Sequence, residues 1–107
     1  MWDNQGMTNP SIKLADEDIA AFCERNRISK LSLFGSVLRK DFHAKSDVDF
    51  LVEFEPDATP SYFRLMQMEL ELCRMTGREA DLRTPRELSK YIRQRVMSEA
   101  ETLFVRR

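Results

Sequence analysis

Histidine, cysteine and glycine are all scarce in this chain of 107 residues: it holds one histidine, His43, two cysteines, Cys23 and Cys73, and three glycines. A single histidine and two distant cysteines exclude zinc sites built on close Cys and His pairs. Both cysteines fall inside apolar helical patterns, so they read as buried, reduced thiols, neither a disulfide nor metal ligands. None of the glycines belongs to the lysine-bearing loop of P-loop nucleotide binders or to the GxGxxG turn of dinucleotide binders. No apolar run approaches the roughly 20 residues needed to cross a bilayer. The opening residues, MWDNQGMTNPSIK, lack the basic segment and apolar run of a secretory leader. Neither sign of charge is in excess: 17 basic and 18 acidic side chains leave a net charge of −1. No global field therefore draws the chain to nucleic acid or an anionic membrane. A cytoplasmic location, no membrane contact and no sequence-specific nucleic-acid binding are the expectations.

What is present fits one soluble domain, with 42% hydrophobic and 33% charged residues. Residues 1–11 read as a loose tail and 12–107 as the domain. Between Asp16 and Asn26, Ile19, Phe22 and Cys23 share one face at helical spacing, with acidic residues in the first turn. ISKLSLF, residues 28–34, alternates as a strand. Gly35 and Ser36 break it, VLRKDF fits a single helical turn, and HAKS is a polar connection that includes His43. VDFLVEF, residues 48–54, reads as a second strand beside the first. From Ser61 to Thr76 the residues Phe63, Met66, Leu70 and Cys73, with Tyr62, Leu65 and Leu72, predict a helix with a wide apolar stripe in the core, ended by Gly77. READLRT is a third strand. Thr84-Pro85-Arg86-Glu87 opens a helix to about Ala100 that buries Leu88, Ile92 and Val96. TLFVRR is left as a strand or a packed tail. The order predicts an α/β (α+β) domain, a small mixed sheet flanked by helices.

Chemistry concentrates at the break between the first two strands. Side chains alternate along a strand, so Asp47 and Asp49 point the same way about 6 to 7 Å apart. Two carboxylates on one face repel unless a cation or a proton intervenes. Asp81, in the third strand, completes a three-carboxylate set if that strand runs beside VDFLVEF. Hard oxygen donors with room for water and phosphate suit Mg²⁺, or Mn²⁺, rather than zinc. On the other side, Gly35 lets backbone approach a phosphate, and the Ser36 hydroxyl and following N–H groups donate to it. Arg39, three residues further on, is placed to pair with the same anion. Each feature alone is commonplace; the set in this order suits a nucleoside triphosphate with a divalent cation.

Gly-Ser, ten residues, then Asp-Val-Asp, with a third acid in a later short strand, resembles the DNA polymerase β-like nucleotidyltransferase superfamily. FGSVLRKDFHAKSDVDFLVEF with GREADLRTP is similar, more closely, to the minimal nucleotidyltransferase (MNT) antitoxins of HEPN–MNT toxin–antitoxin pairs, over about residues 16–104. The resemblance implies a polymerase β-like nucleotidyltransferase fold and Mg²⁺-dependent use of ATP. It implies that Gly35 and Ser36 hold the triphosphate, with Arg39 in the same pattern. Asp47 and Asp49 would hold the metals, and Asp81 would be third ligand and help to deprotonate the acceptor. The implied acceptor is a tyrosine of a HEPN ribonuclease toxin, neutralised by transfer of AMP. Two other readings stand beside it: an antitoxin that masks its toxin by binding, through the 61–75 helix with Tyr62, Met66, Met68 and Met75, and a small-molecule, antibiotic-type nucleotidyltransferase.

Overall fold

A computed structural model describes residues 14–35 and 47–106. The expected N-terminal tail and the connection from Ser36 to Ser46, with its helical turn and His43, lie outside the described residues. Helix α1, Asp16–Arg25, opens with three acidic side chains that complement the positive end of its dipole, and it buries Ile19, Phe22 and Cys23 as its spacing predicts. Burial pushes the Cys23 thiol up to about 12, so it stays protonated and inert. Strand β1, Ile28–Phe34, pairs antiparallel with β2, Val48–Phe54. Helix α2, Tyr62–Thr76, carries the chain back to β3, Ala80–Arg83, which runs parallel to β2. Ser61 caps α2 by accepting from the Arg64 N–H at 3.2 Å. Gly77, at φ 71°, ends it in the left-handed conformation that the sequence predicts.

The C-terminal residues resolve as a strand. β4, Glu101–Val105, pairs antiparallel with β1 and buries Phe104. Among the described residues the sheet is four-stranded and mixed, in the order β3-β2-β1-β4. Leu31 and Leu33 of β1 lie opposite Val52 and Phe50 of β2, and these four join Val48, Ile19, Phe22, Met68 and Leu72 in one buried cluster. Helices α1 and α2 therefore cover one face of the sheet. The other face presents Ser32 and Phe34 of β1, Asp49 and Leu51 of β2, and Asp81 and Arg83 of β3, following strand alternation. Ser32 and Leu51 are buried there, and a 3₁₀ turn after β3 lies against β2. The outer edge of β3 is closed by α2: the Leu82 N–H donates to Glu69 Oε2 at 2.8 Å and the Ala80 N–H to Cys73 Sγ at 3.3 Å.

Two helical expectations need correction. The face of α2 in the core is Met68 and Leu72, flanked by half-buried Leu65 and Met75. Of the predicted stripe, Leu72 is buried and Leu65 and Cys73 are half-buried, whereas Tyr62, Phe63, Met66 and Leu70 are exposed. Nor does one helix run from Pro85 to Ala100. Pro85–Glu87 form the 3₁₀ turn, Leu88 is extended, and Ser89 caps a separate helix α3, Lys90–Glu99, by accepting from the Tyr91 N–H. Arg93 fixes this break by donating to the Pro85 carbonyl at 2.7 Å and the Leu88 carbonyl at 3.1 Å. No side chain of α3 is buried, with Ile92 exposed and Leu88 and Val96 only half-buried. No helix among the described residues is long and apolar enough to cross a membrane.

Candidate active site

At the end of β1 the backbone turns through Gly35 with φ +78°. Phe34 is the antiparallel partner of Asp49, so this turn falls against the start of β2. A Cβ on Gly35 would sit 2.4 Å from Asp49 Oδ2 and 3.3 Å from its Cγ. Glycine is required twice here, for the positive φ and for the space that the carboxylate takes. Asp81 is the parallel partner of Asp49, so the two occupy neighbouring strand positions. The arrangement that the sequence left conditional, β3 beside β2, is therefore the one formed. Asp47 lies one residue ahead of β2 and is exposed, with buried Val48 between it and Asp49. The β2 start is itself held by the Val48 N–H donating to the Glu79 carbonyl at 2.9 Å.

The structure thus brings Gly35, Asp49 and Asp81 to one place, with Asp47 adjacent in the chain. Ser36 and Arg39 lie outside the described residues. Among the described residues no three acidic, histidine or cysteine side chains converge as a ready metal cage. Asp81 is turned to a cation instead: Nε and Nη2 of Arg83 both lie 3.1 Å from its Oδ2. Asp81 in turn raises the Arg83 guanidinium pKa further above its ordinary value, first through the hydrogen bond and then through charge. Sequence reading passed over Arg83, although its place two residues after Asp81 on a strand puts both on one face. The donor set, carboxylates on adjacent strands beside a glycine turn, suits a hard divalent cation that shares its remaining positions with water and phosphate.

A nucleotidyltransferase domain model matches residues 17–103, most of the chain. The chain belongs to the nucleotidyltransferase domain family. Among named relatives of this nucleotidyltransferase domain, "Putative protein adenylyltransferase MJ0435" of Methanocaldococcus jannaschii is 30% identical over 76 residues, covering 71% of this chain and 80% of the relative. "Putative protein adenylyltransferase MJ0128" of the same organism is 36% identical over 59 residues, 55% of this chain; the match spans 58% of that relative's length. A solved structure described as a putative minimal nucleotidyltransferase superposes with TM-score 0.66 at 30% identity, covering 79% of this chain and 85% of its own. Chains from two toxin–antitoxin structures share the fold. One, with AMP-PNP, has TM-score 0.69 and 22% identity over 88% of this chain and 76% of its own. The other, a tri-AMPylated Shewanella oneidensis HEPN toxin with MNT antitoxin, has TM-score 0.57 and 18% identity over 85% and 70%.

Proposed function

We propose that this nucleotidyltransferase transfers AMP from ATP, with Mg²⁺ or Mn²⁺, to a tyrosine hydroxyl of a HEPN-type ribonuclease toxin and so neutralises it. The observation that carries the reading is the contact of the Gly35 turn with Asp49, which itself sits at the strand position next to Asp81. The names of the adenylyltransferase relatives and the AMPylated toxin in a complex of the same fold support the acceptor class.

In this reading Gly35, Ser36 and Arg39 bind the triphosphate, and Asp47, Asp49 and Asp81 hold the cation. The cation, when bound, neutralises phosphate charge as it builds on the attacking and leaving oxygens. Gly35 leaves the Asp49 carboxylate room against the turn, where a side chain would displace it. Asp81 takes the proton of the acceptor hydroxyl. The acceptor oxygen forms a bond to the α-phosphorus while the bond from that phosphorus to its bridging oxygen breaks. Pyrophosphate leaves with the electron pair, in line with the attack. Incubation with α-labelled ATP, Mg²⁺ and the protein encoded beside this one tests the reading. Label should move to the partner, and the double variant Asp47→Ala/Asp49→Ala should leave it unlabelled. An unlabelled partner with the native chain, or undiminished label with the variant, contradicts it.

One observation favours an additional masking role. Tyr62, Phe63 and Leu70 of α2 are 77%, 67% and 57% exposed, a contiguous apolar strip rich in the residue types that anchor protein interfaces. Of the residues proposed for masking from sequence, Tyr62 and Met66 lie on this strip, whereas Met68 is buried and Met75 packs against the core. The variant Phe63→Glu/Leu70→Glu should change folding stability by less than about 0.5 kcal/mol, because both side chains already face water. It should weaken partner binding at least tenfold, read by calorimetry. If masking suffices, neutralisation persists in Asp47→Ala/Asp49→Ala and disappears in this surface variant.

A further inference from the structure

We infer that Arg83 is an exchangeable counter-charge of the candidate site. It holds the Asp81 carboxylate in the free protein and passes to the nucleotide triphosphate when a divalent cation takes Asp81. The inference rests on the proposed metal–nucleotide reading and adds a binding residue to it. Arg83 lies opposite Leu51 of β2, just as Asp81 lies opposite Asp49, so its backbone is two pairs along the same two strands from the site. Residues 81 and 83 share a sheet face, and the guanidinium already reaches the carboxylate, with Nε and Nη2 both at Oδ2.

The pair is built to part. The two side chains are 47% and 40% exposed, so water screens their attraction and the contact is worth little in folding. Glu69 and Glu87 are the other acids whose charge favours the Arg83 cation. Each already accepts from backbone, Glu69 from the Leu82 N–H in β3 and Glu87 from the Thr84 N–H just after it. A guanidinium that stayed on Asp81 would repel a divalent cation at the same carboxylate. Released, it can offer its planar fork to phosphate oxygens, which match it bidentately.

Calorimetric titrations of the full chain separate the two halves of the exchange, first with Mn²⁺ alone and then with a non-hydrolysable ATP analogue at saturating Mn²⁺. In Arg83→Met, Mn²⁺ alone should bind about threefold more tightly, since a competing cation is gone. The nucleotide should bind about tenfold more weakly, since a charged donor to phosphate is gone. Arg83→Lys, which keeps charge but not the fork, should fall between for nucleotide. A purely structural role would weaken both ligands together, and that result overturns the exchange. So do unchanged titrations in Arg83→Met when the native chain binds both ligands; this leaves the metal–nucleotide reading intact. A native chain that binds neither Mn²⁺ nor the analogue overturns both.

Discussion

Asp49→Asn should lower AMP transfer at least about 10³-fold while moving the melting temperature by no more than about 2 °C. The asymmetry follows from where the side chain sits. Asp49 lies against the Gly35 turn on one side and at the strand position beside Asp81 on the other. Asparagine keeps its shape, so the turn retains the same neighbour, whereas alanine would open a gap there. What asparagine removes is the negative charge. A neutral amide is a poor ligand for a hard divalent cation and cannot offset the positive charge that the triphosphate requires at that point. Folding loses little because asparagine fills the same volume at this half-buried position and keeps one of the two side-chain oxygens. Transfer rates from single turnovers, with melting curves on the same samples, check both halves. Activity within tenfold of the native chain would falsify a metal role for this carboxylate.

The site was more legible in the sequence than the helices around it, for a physical reason. Strand alternation is a short-range rule, and VDFLVEF meets it with Val48, Phe50 and Val52 buried. It therefore sets the face of Asp49 without knowledge of the partner strand. The pairing of Asp49 with Asp81 was conditional on β3 running beside β2, and the crossover through α2 brings that about. For α2 the sequence offers two apolar stripes. Leu65, Met68, Leu72 and Met75 form one, and Tyr62, Phe63, Met66 and Leu70 form the other. Helical spacing fits both, and nothing local says which meets the sheet; the wide stripe expected in the core draws on both, and the structure turns its Leu65 and Leu72 inward and leaves Tyr62, Phe63, Met66 and Leu70 in water. Before α3, the expected start at Pro85 opens only a 3₁₀ turn, and the helix proper begins at Lys90. Ser89 supplies a second cap that competes with continuation, and Arg93 satisfies the carbonyls exposed by the break. Arg83 was missed because an arginine on a strand end looks like surface charge until its carboxylate partner is seen.

Gly35→Ala carries the second large effect, and Gly77→Ala supplies its control. Both glycines hold positive φ, +78° and +71°, so alanine at either site costs about 1 kcal/mol of backbone strain. For a domain of this size that corresponds to a fall of about 4–8 °C in melting temperature. The surroundings differ. Among the described residues a Cβ at Gly77 meets nothing within 4 Å, whereas at Gly35 it lands 2.4 Å from Asp49 Oδ2. Because that oxygen ends a rotatable side chain, the clash resolves by moving the carboxylate rather than by unfolding the sheet. The displaced carboxylate no longer faces the turn, and a cation held there would lose its ligand geometry. Gly35→Ala should therefore lose AMP transfer by at least about 10²-fold, as misplacement of about an ångström does in an active site. Gly77→Ala should keep transfer within about twofold despite a similar loss of stability, since a Cβ there approaches none of the described site residues Gly35, Asp47, Asp49 and Asp81. Melting curves and single-turnover rates for the pair separate strain from chemistry. Equal activity losses in the two variants would mean that Gly35 matters only as a turn, and would remove the main structural support for phosphate binding beside Asp49.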